Sequence, residues 1–229
     1  MKRLIQPEWL DELPPDDPDA ARSRRDLCRV NAWMGHHDIM ADALQNHLNS
    51  DFVGPIVELG AGDGNFLLRV AQLLSASRRD INVTLLDRQK IVQPDTLSDF
   101  ESLGWHAEAI TADVFDWAHT GSPAGVVIAN LFLHHFYDTS LAGLFRALAR
   151  RARLFIALEP RRARWPLFCS RLLWGIGCGL VTRHDAVLSV RAGFDGDELS
   201  RLWPAADGWQ LIEQPAGAFS HLFVARRTN

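Results

Sequence analysis

Residues 57–66 read Val57-Glu58-Leu59-Gly60-Ala61-Gly62-Asp63-Gly64-Asn65-Phe66, an apolar run that closes on an acid and then sets three glycines at alternate positions. Pro55-Ile56-Val57 leads in as a buried parallel strand would, and Asn65 to Ala71 carries the spacing of an amphipathic helix. Strand, glycine turn and helix start together make a ligand cradle. Glycine reaches positive φ and has no Cβ to hold a ligand off the backbone, and the first helical N–H groups point outward as donors. A dinucleotide fingerprint needs its third glycine at position 65, where Asn65 stands, and this weakens the phosphate reading.

Working outward, Asn82 to Asp87 repeats the buried-strand pattern and again ends in an acid, placed where a carboxylate can accept from both hydroxyls of a ribose. Ala109 to Val114 reads as a third strand end carrying Asp113. Gly125 to Asn130 reads as a fourth strand that runs into Leu131-Phe132-Leu133-His134-His135-Phe136. Beyond it a helix is expected over Leu141–Leu148 with Asp138-Thr139 as its cap, then a fifth strand over Leu154–Leu158 and a helix near Asp195. Two last strands, Trp209–Glu213 and His221–Ala225, flank a Pro/Gly turn. Such alternation predicts a doubly wound parallel sheet.

In this order the elements resemble class I S-adenosylmethionine-dependent methyltransferases over roughly residues 30 to 229. Glu58, Gly60, Gly62 and Gly64 match motif I, Asp87 the ribose acid, Asp113 the acid that takes the adenine amino group, and Asn130 to Phe136 motif IV. The resemblance implies an α/β, Rossmann-like, doubly wound sheet of seven mostly parallel strands with an antiparallel last strand. It implies an N-terminal helical extension or lid over 1–50, a methyltransferase domain over 51–229, and a lid-like insert over 160–194. It also implies S-adenosylmethionine as methyl donor and S-adenosylhomocysteine as product. Glu58, Gly60, Gly62, Gly64, Asp87, Arg88, Asp113, Val114 and Asn130 would hold them.

A sulfonium methyl donor leaves the enzyme to align the nucleophile and, for a hydroxyl, to remove its proton. Of the nine histidines, His134 is the leading base because it follows the fourth strand, at the carboxyl edge where open α/β sheets bind ligands. It also resembles the base of the His-Asp-Trp-Ser-Asp segment in plant-type small-molecule O-methyltransferases, with His135, Phe136 and Tyr137 departing from that pattern. Glu159 resembles the glutamate that orients the base; a salt bridge to Arg161 or Arg162 is its alternative role. His184 and His36 are the rival bases. Trp33, His36, His135 and Trp174 are the expected acceptor contacts, with Asn31 beside them. No His-x-x-x-His or carboxylate cluster stands out, so no metal is expected.

At 229 residues and a net charge of -4, with only Lys2 and Lys90 as lysines, the chain reads as one domain without the basic field that attracts nucleic acid. Three unpaired cysteines, Cys28, Cys169 and Cys178, and an N-terminus lacking a signal-peptide pattern lead to a cytoplasmic expectation. The run Trp165 to Val181 is too polar at Arg171 and too rich in glycine for a membrane span. It reads as an apolar lid over the acceptor, or else as a core or homodimer-interface helix. Leu10 to Pro15, Ser23 to Leu27 and this insert resemble bacterial methyltransferases of polyketide-type phenolic lipids. The expected acceptor is therefore a small, largely apolar secondary metabolite with a phenolic or enolic hydroxyl. Carbon or nitrogen methylation, an NAD(P)-dependent reductase and a noncatalytic cofactor-binding protein are the alternatives.

Overall fold

The computed structural model describes residues 1–14, 16–48, 54–75, 80–121, 124–204 and 208–228. The expected domain boundary at residues 50 and 51 lies outside them. Three helices lead the chain, α1 Trp9–Glu12, α2 Pro18–Trp33 and α3 His36–His47. Then β1 Ile56–Leu59, α4 Asn65–Leu74, β2 Ile81–Asp87, α5 Pro94–Ser102, β3 Trp105–Thr111, α6 Val114–Thr120 and β4 Val126–Asn130 alternate. A 3-10 turn, Leu133–His135, precedes α7 Asp138–Leu148 and β5 Leu154–Pro160. After β5 come α8 Arg164–Ser170, a second 3-10 turn at Leu173–Ile176, α9 Leu180–Ala192 and α10 Glu198–Leu202. The hairpin β6 Trp209–Ala216 and β7 Ser220–Arg227 closes the chain.

The seven strands lie in the order β3-β2-β1-β4-β5-β7-β6, and the last strand, β7, is antiparallel to both neighbours, as the family resemblance implied. Side-chain alternation decides what each face buries. In β5, Leu154, Ile156 and Leu158 join one core with Met40 and Leu44 of α3, Leu67 of α4 and Phe100 of α5. Phe155 and Ala157 point the other way, into a core with Trp117 of α6, Phe145 of α7 and Trp203. The chain order reverses between β1 and β4, which is the switch point where doubly wound sheets open a crevice.

Three boundaries differ from the sequence reading. The third strand ends at Thr111 rather than Val114, because Asp113 caps α6 by accepting from Phe115 N–H at 2.7 Å. Asp138 is the first residue of α7, not its cap; its carboxylate turns to Arg3 at 2.6 Å. The helix expected near Asp195 starts at Glu198 and runs only 5 residues. The insert is broken into α8, a turn and α9 by Gly175, Gly177 and Gly179, and Gly177 takes φ 79° at the end of the turn.

Candidate active site

The crevice at the switch point has a volume of about 310 Å³, and the glycine turn forms one wall. Gly60 and Gly62 both take positive φ, 66° and 57°, for different reasons. A Cβ on Gly60 would lie 2.2 Å from the Phe132 ring, so this glycine admits the aromatic behind it. A Cβ on Gly62 would meet nothing within 4 Å, so this glycine keeps backbone open toward the crevice. Gly64 instead packs against Leu85 and starts α4, outside the crevice lining.

Two carboxylates flank the turn on neighbouring strands, and one of them fixes it. Asp87 accepts from Gly62 N–H and Gln89 N–H, each at 2.8 Å, which leaves further lone pairs for a diol. Glu58, 2 % exposed at the end of β1, is held well above the usual carboxyl range by burial first, then by Asp63 and Asp87. Its Oε2 is buried without a hydrogen-bond partner. A buried acceptor left in that state facing a crevice suits a cationic group of a ligand. Arg88, Asp113, Val114 and Asn130 also line the crevice, so of the nine residues expected to hold the cofactor only Gly64 stands off it.

His134 sits in the 3-10 turn after β4, and one carboxylate builds that turn. Glu159 at the end of β5 accepts from Phe132 N–H at 3.0 Å, Leu133 N–H at 2.8 Å and His134 N–H at 3.3 Å, and from His134 Nδ1 at 2.8 Å. The salt bridge with Arg161 or Arg162 is not formed; Arg162 binds Glu198 instead. Leu131, at φ 52° just before the turn, is held there by its N–H bond to Leu158 O. The other face of the imidazole ring system was not legible in sequence. Glu8, which precedes α1, brings Oε1 to 3.3 Å from His134 Nε2, an ion-pair contact without full hydrogen-bond geometry.

Burial alone would push His134 down, but the paired carboxylates Glu159 and Glu8 outweigh it and raise its pKa to about 9. Glu159 and Glu8 are correspondingly held below the usual carboxyl range despite their burial. His135 packs against His134 with the rings tilted by 34° and 4.2 Å apart, and pairs through Nδ1 with Asp11 at 3.2 Å. Ligand atoms of Glu8, His134 and His135 lie within 4.8 Å of one another. That is a potential metal-ligating cluster which local spacing did not reveal, since Glu8 is distant in sequence.

The remaining expected residues are elsewhere. His36 is fully buried behind Asn130, with Nδ1 donating to Asn130 Oδ1 at 2.7 Å and Nε2 accepting from Ser220 Oγ at 2.6 Å. Burial lowers its pKa to about 4, and with both ring nitrogens taken by protein partners it is a neutral structural histidine with no nitrogen open to an acceptor. His184 stacks on Trp9 at 3.7 Å and bonds Asp185, outside the crevice lining. Trp33 packs on Phe219 and Trp174 is 63 % exposed; neither reaches the crevice. The strap of residues 3–11 takes the place expected of the insert. Leu10 and Asp11 line the crevice, Trp9 N–H and Leu10 N–H donate to the two oxygens of Asp185 at 2.9 Å, and Arg88 donates to Asp11 O at 3.0 Å.

No family model matches the chain, and no curated protein matches it by sequence. Its architecture is nevertheless shared with solved methyltransferases. An O-methyltransferase family protein from Burkholderia thailandensis superposes with a TM-score of 0.60 at 16% identity, covering 92% of this chain and 62% of its own. The pyocyanin biosynthetic protein PhzM gives a TM-score of 0.59 at 16% identity, covering 96% and 61%. The plantazolicin methyltransferase BpumL, solved with a monoazolic desmethylPZN analog and S-adenosylhomocysteine, gives 0.65 at 10% identity, covering 96% and 92%. The chain thus has the class I methyltransferase fold, and it spans about three fifths of the length of the first two of these proteins.

Proposed function

We propose that the protein is an S-adenosylmethionine-dependent methyltransferase acting on the hydroxyl of a small, partly apolar molecule. The observation that carries this is the open glycine turn at the switch point, with Asp87 at the end of β2, Asp113 at the start of α6 and the orphaned Glu58 oxygen at its base. These groups suit the donor part by part: a carboxylate for a ribose diol, an acid at the rim for an amino group, and a buried carboxyl, held protonated by its surroundings, that an arriving ammonium would ionise. When bound, the donor supplies an electrophilic methyl on a sulfonium.

The residues on the far wall then have a division of labour. His134 removes the acceptor proton through Nε2 once Glu8, whose Oε1 covers that nitrogen at 3.3 Å, has moved aside, and Glu159 is its positioning residue, fixing the ring and the Nδ1–H tautomer. Phe132, Phe136 and Leu10 give an apolar wall, and His135 and Asp11 a polar rim. That mix fits a ring-bearing acceptor with an ionisable hydroxyl. The small-molecule roles named for PhzM and BpumL are in keeping with it.

Calorimetry with S-adenosylhomocysteine tests the reading. Asp87→Ala removes charge-assisted hydrogen bonds worth about 1.5 to 3 kcal/mol each, so affinity is expected to fall at least about tenfold. Unchanged affinity in that variant, or no binding by the wild type, refutes the assignment.

A further inference from the structure

The broken insert, read from sequence as an acceptor lid, turns its bulky side chains outward. Among the described residues thirteen large apolar side chains are exposed, and six of them fall between residues 165 and 180: Trp165, Phe168, Leu172, Trp174, Ile176 and Leu180. Trp165 and Phe168 stack on each other across one turn of α8, at 5.9 Å. Beneath them Leu173 and Cys178 form a small separate core with Val30 of α2, which fixes the segment to the body. Isolated exposed apolar residues are ordinary on a soluble protein, but a concentration of this kind marks a surface with a partner.

The charge around the patch identifies the partner. From Arg161 to His184 the sequence carries five arginines and no acid, although the whole chain has a net charge of -4. Arg164, Arg171 and Arg183 are exposed among the apolar residues. A second group, Arg22, Arg25 and Arg29, lies on the adjoining face of α2. It is continuous with the patch, since Arg22 donates to Gly177 O at 3.4 Å. Asp26, the acid amid this group, is buried; it accepts from Gly179 N–H at 2.6 Å and Thr182 Oγ1 at 3.1 Å and also pairs with Arg29, so the net positive charge of the group rests on Arg22 and Arg25. Tryptophan and arginine around an aliphatic centre is the composition of a segment lying at the lipid–water boundary, where rings sit at headgroup depth and cations meet anionic lipids.

We propose that the face formed by residues 164–183 and the arginines of α2 docks the protein on an anionic membrane surface. A second copy of the chain fits less well, because a two-fold contact would set this arginine-rich rim against itself. Insertion is shallow: no helix among the described residues is long and apolar enough to cross a bilayer. The surface is separate from the crevice, so it holds whether or not the methyl-transfer reading does.

Vesicle sedimentation of the full chain tests it, using phosphatidylcholine alone and phosphatidylcholine mixed with phosphatidylglycerol. The wild type is expected to pellet with the mixed vesicles and to be released by salt. Trp165→Ser/Trp174→Ser should abolish pelleting. Arg171→Glu/Arg183→Glu should weaken the partition at least about tenfold, since each surface cation contributes roughly 1 kcal/mol. Thermal melting checks that both variants fold; all four positions are exposed. Absence of wild-type binding to the mixed vesicles overturns the proposal. So does equal binding of the wild type and the folded variants. A wild-type dimer in sedimentation velocity that the serine variant dissociates, with no vesicle binding, would assign the face to self-association instead.

Discussion

His134 is an imidazole clamped between two carboxylates, and its charge state sets what it can do. With Glu8 at Nε2 it is held protonated up to about pH 9, so it acts as a base only once it has lost that proton. For a base, rate rises with pH through the pKa. Under the methyl-transfer reading, kcat/KM is therefore expected to climb toward about pH 9 in the wild type. Glu8→Gln removes one of the charges that favour the imidazolium, so the rising limb should move to lower pH while the affinity for S-adenosylhomocysteine stays the same; a limb that does not move places the base elsewhere. Glu58 makes a stability prediction. Its pKa is raised above the ordinary 4.5, so between those values the folded state holds a proton that the unfolded state has lost, and stability falls as pH rises. Glu58→Gln cannot titrate. Its Tm should match the wild type near about pH 4 and exceed it increasingly toward about pH 8; a gap independent of pH would mean the carboxyl is not the strained group. Glu58 was legible in sequence because a strand and its terminal acid are contiguous. Glu8 was not, because nothing in a local pattern says that a residue near the N-terminus will meet one more than a hundred positions away.

At the scale of elements, the glycine turn was readable because a strand, alternating glycines and an amphipathic helix dictate each other within a few residues. The insert was misread for a related reason. Its bulky residues recur at helical spacing, but Gly175, Gly177 and Gly179 interrupt the helix, and an apolar face of that period looks the same whether it turns in or out. The strap that does border the crevice has almost no helical signal; it is held by its own Arg3 and by side chains of other elements. Arg3 reaches Ala192 O at 2.8 Å and Phe136 O at 3.0 Å, Ser189 donates to Glu8 Oε1 at 2.5 Å, and Asp185 receives two backbone amides. Asp185→Ala strips those two acceptors and is expected to cost about 2 kcal/mol. The Trp9 and Leu10 amides should lose their hydrogen-exchange protection before the strands do. Protection that survives in the variant would show that the arginine and serine contacts alone hold the strap.

For the whole molecule, the succession of helices and strands predicted the doubly wound sheet and the family resemblance implied its antiparallel last strand, and this sheet brings Glu58, Asp87, Asp113 and His134 to one end. What alternation could not supply was the pairing of distant polar groups, such as Asn130 with His36 and Asn31, since these contacts exist only once β4 and the N-terminal helices are packed together. The same strand order leaves β3 and β6 outermost, each with a single neighbour. An outermost strand offers its free amides and carbonyls to any passing chain, and the safeguard is polar decoration. On β3 that role falls to His106, Glu108 and Thr111, all exposed, with Glu108 also accepting from Thr84 Oγ1 of β2 at 3.1 Å. On β6, Pro215 lacks an amide to offer. Glu108→Val would leave a run of Ala107, Val, Ala109 and Ile110 along the rim, with high strand propensity and no charge. Light scattering during refolding by dilution should rise with protein concentration in that variant and stay flat in the wild type, and equal scattering would show that another barrier prevents rim-to-rim growth. The colloidal behaviour of the protein is thus expected to hang on one carboxylate of an outermost strand, a residue with no part in the crevice.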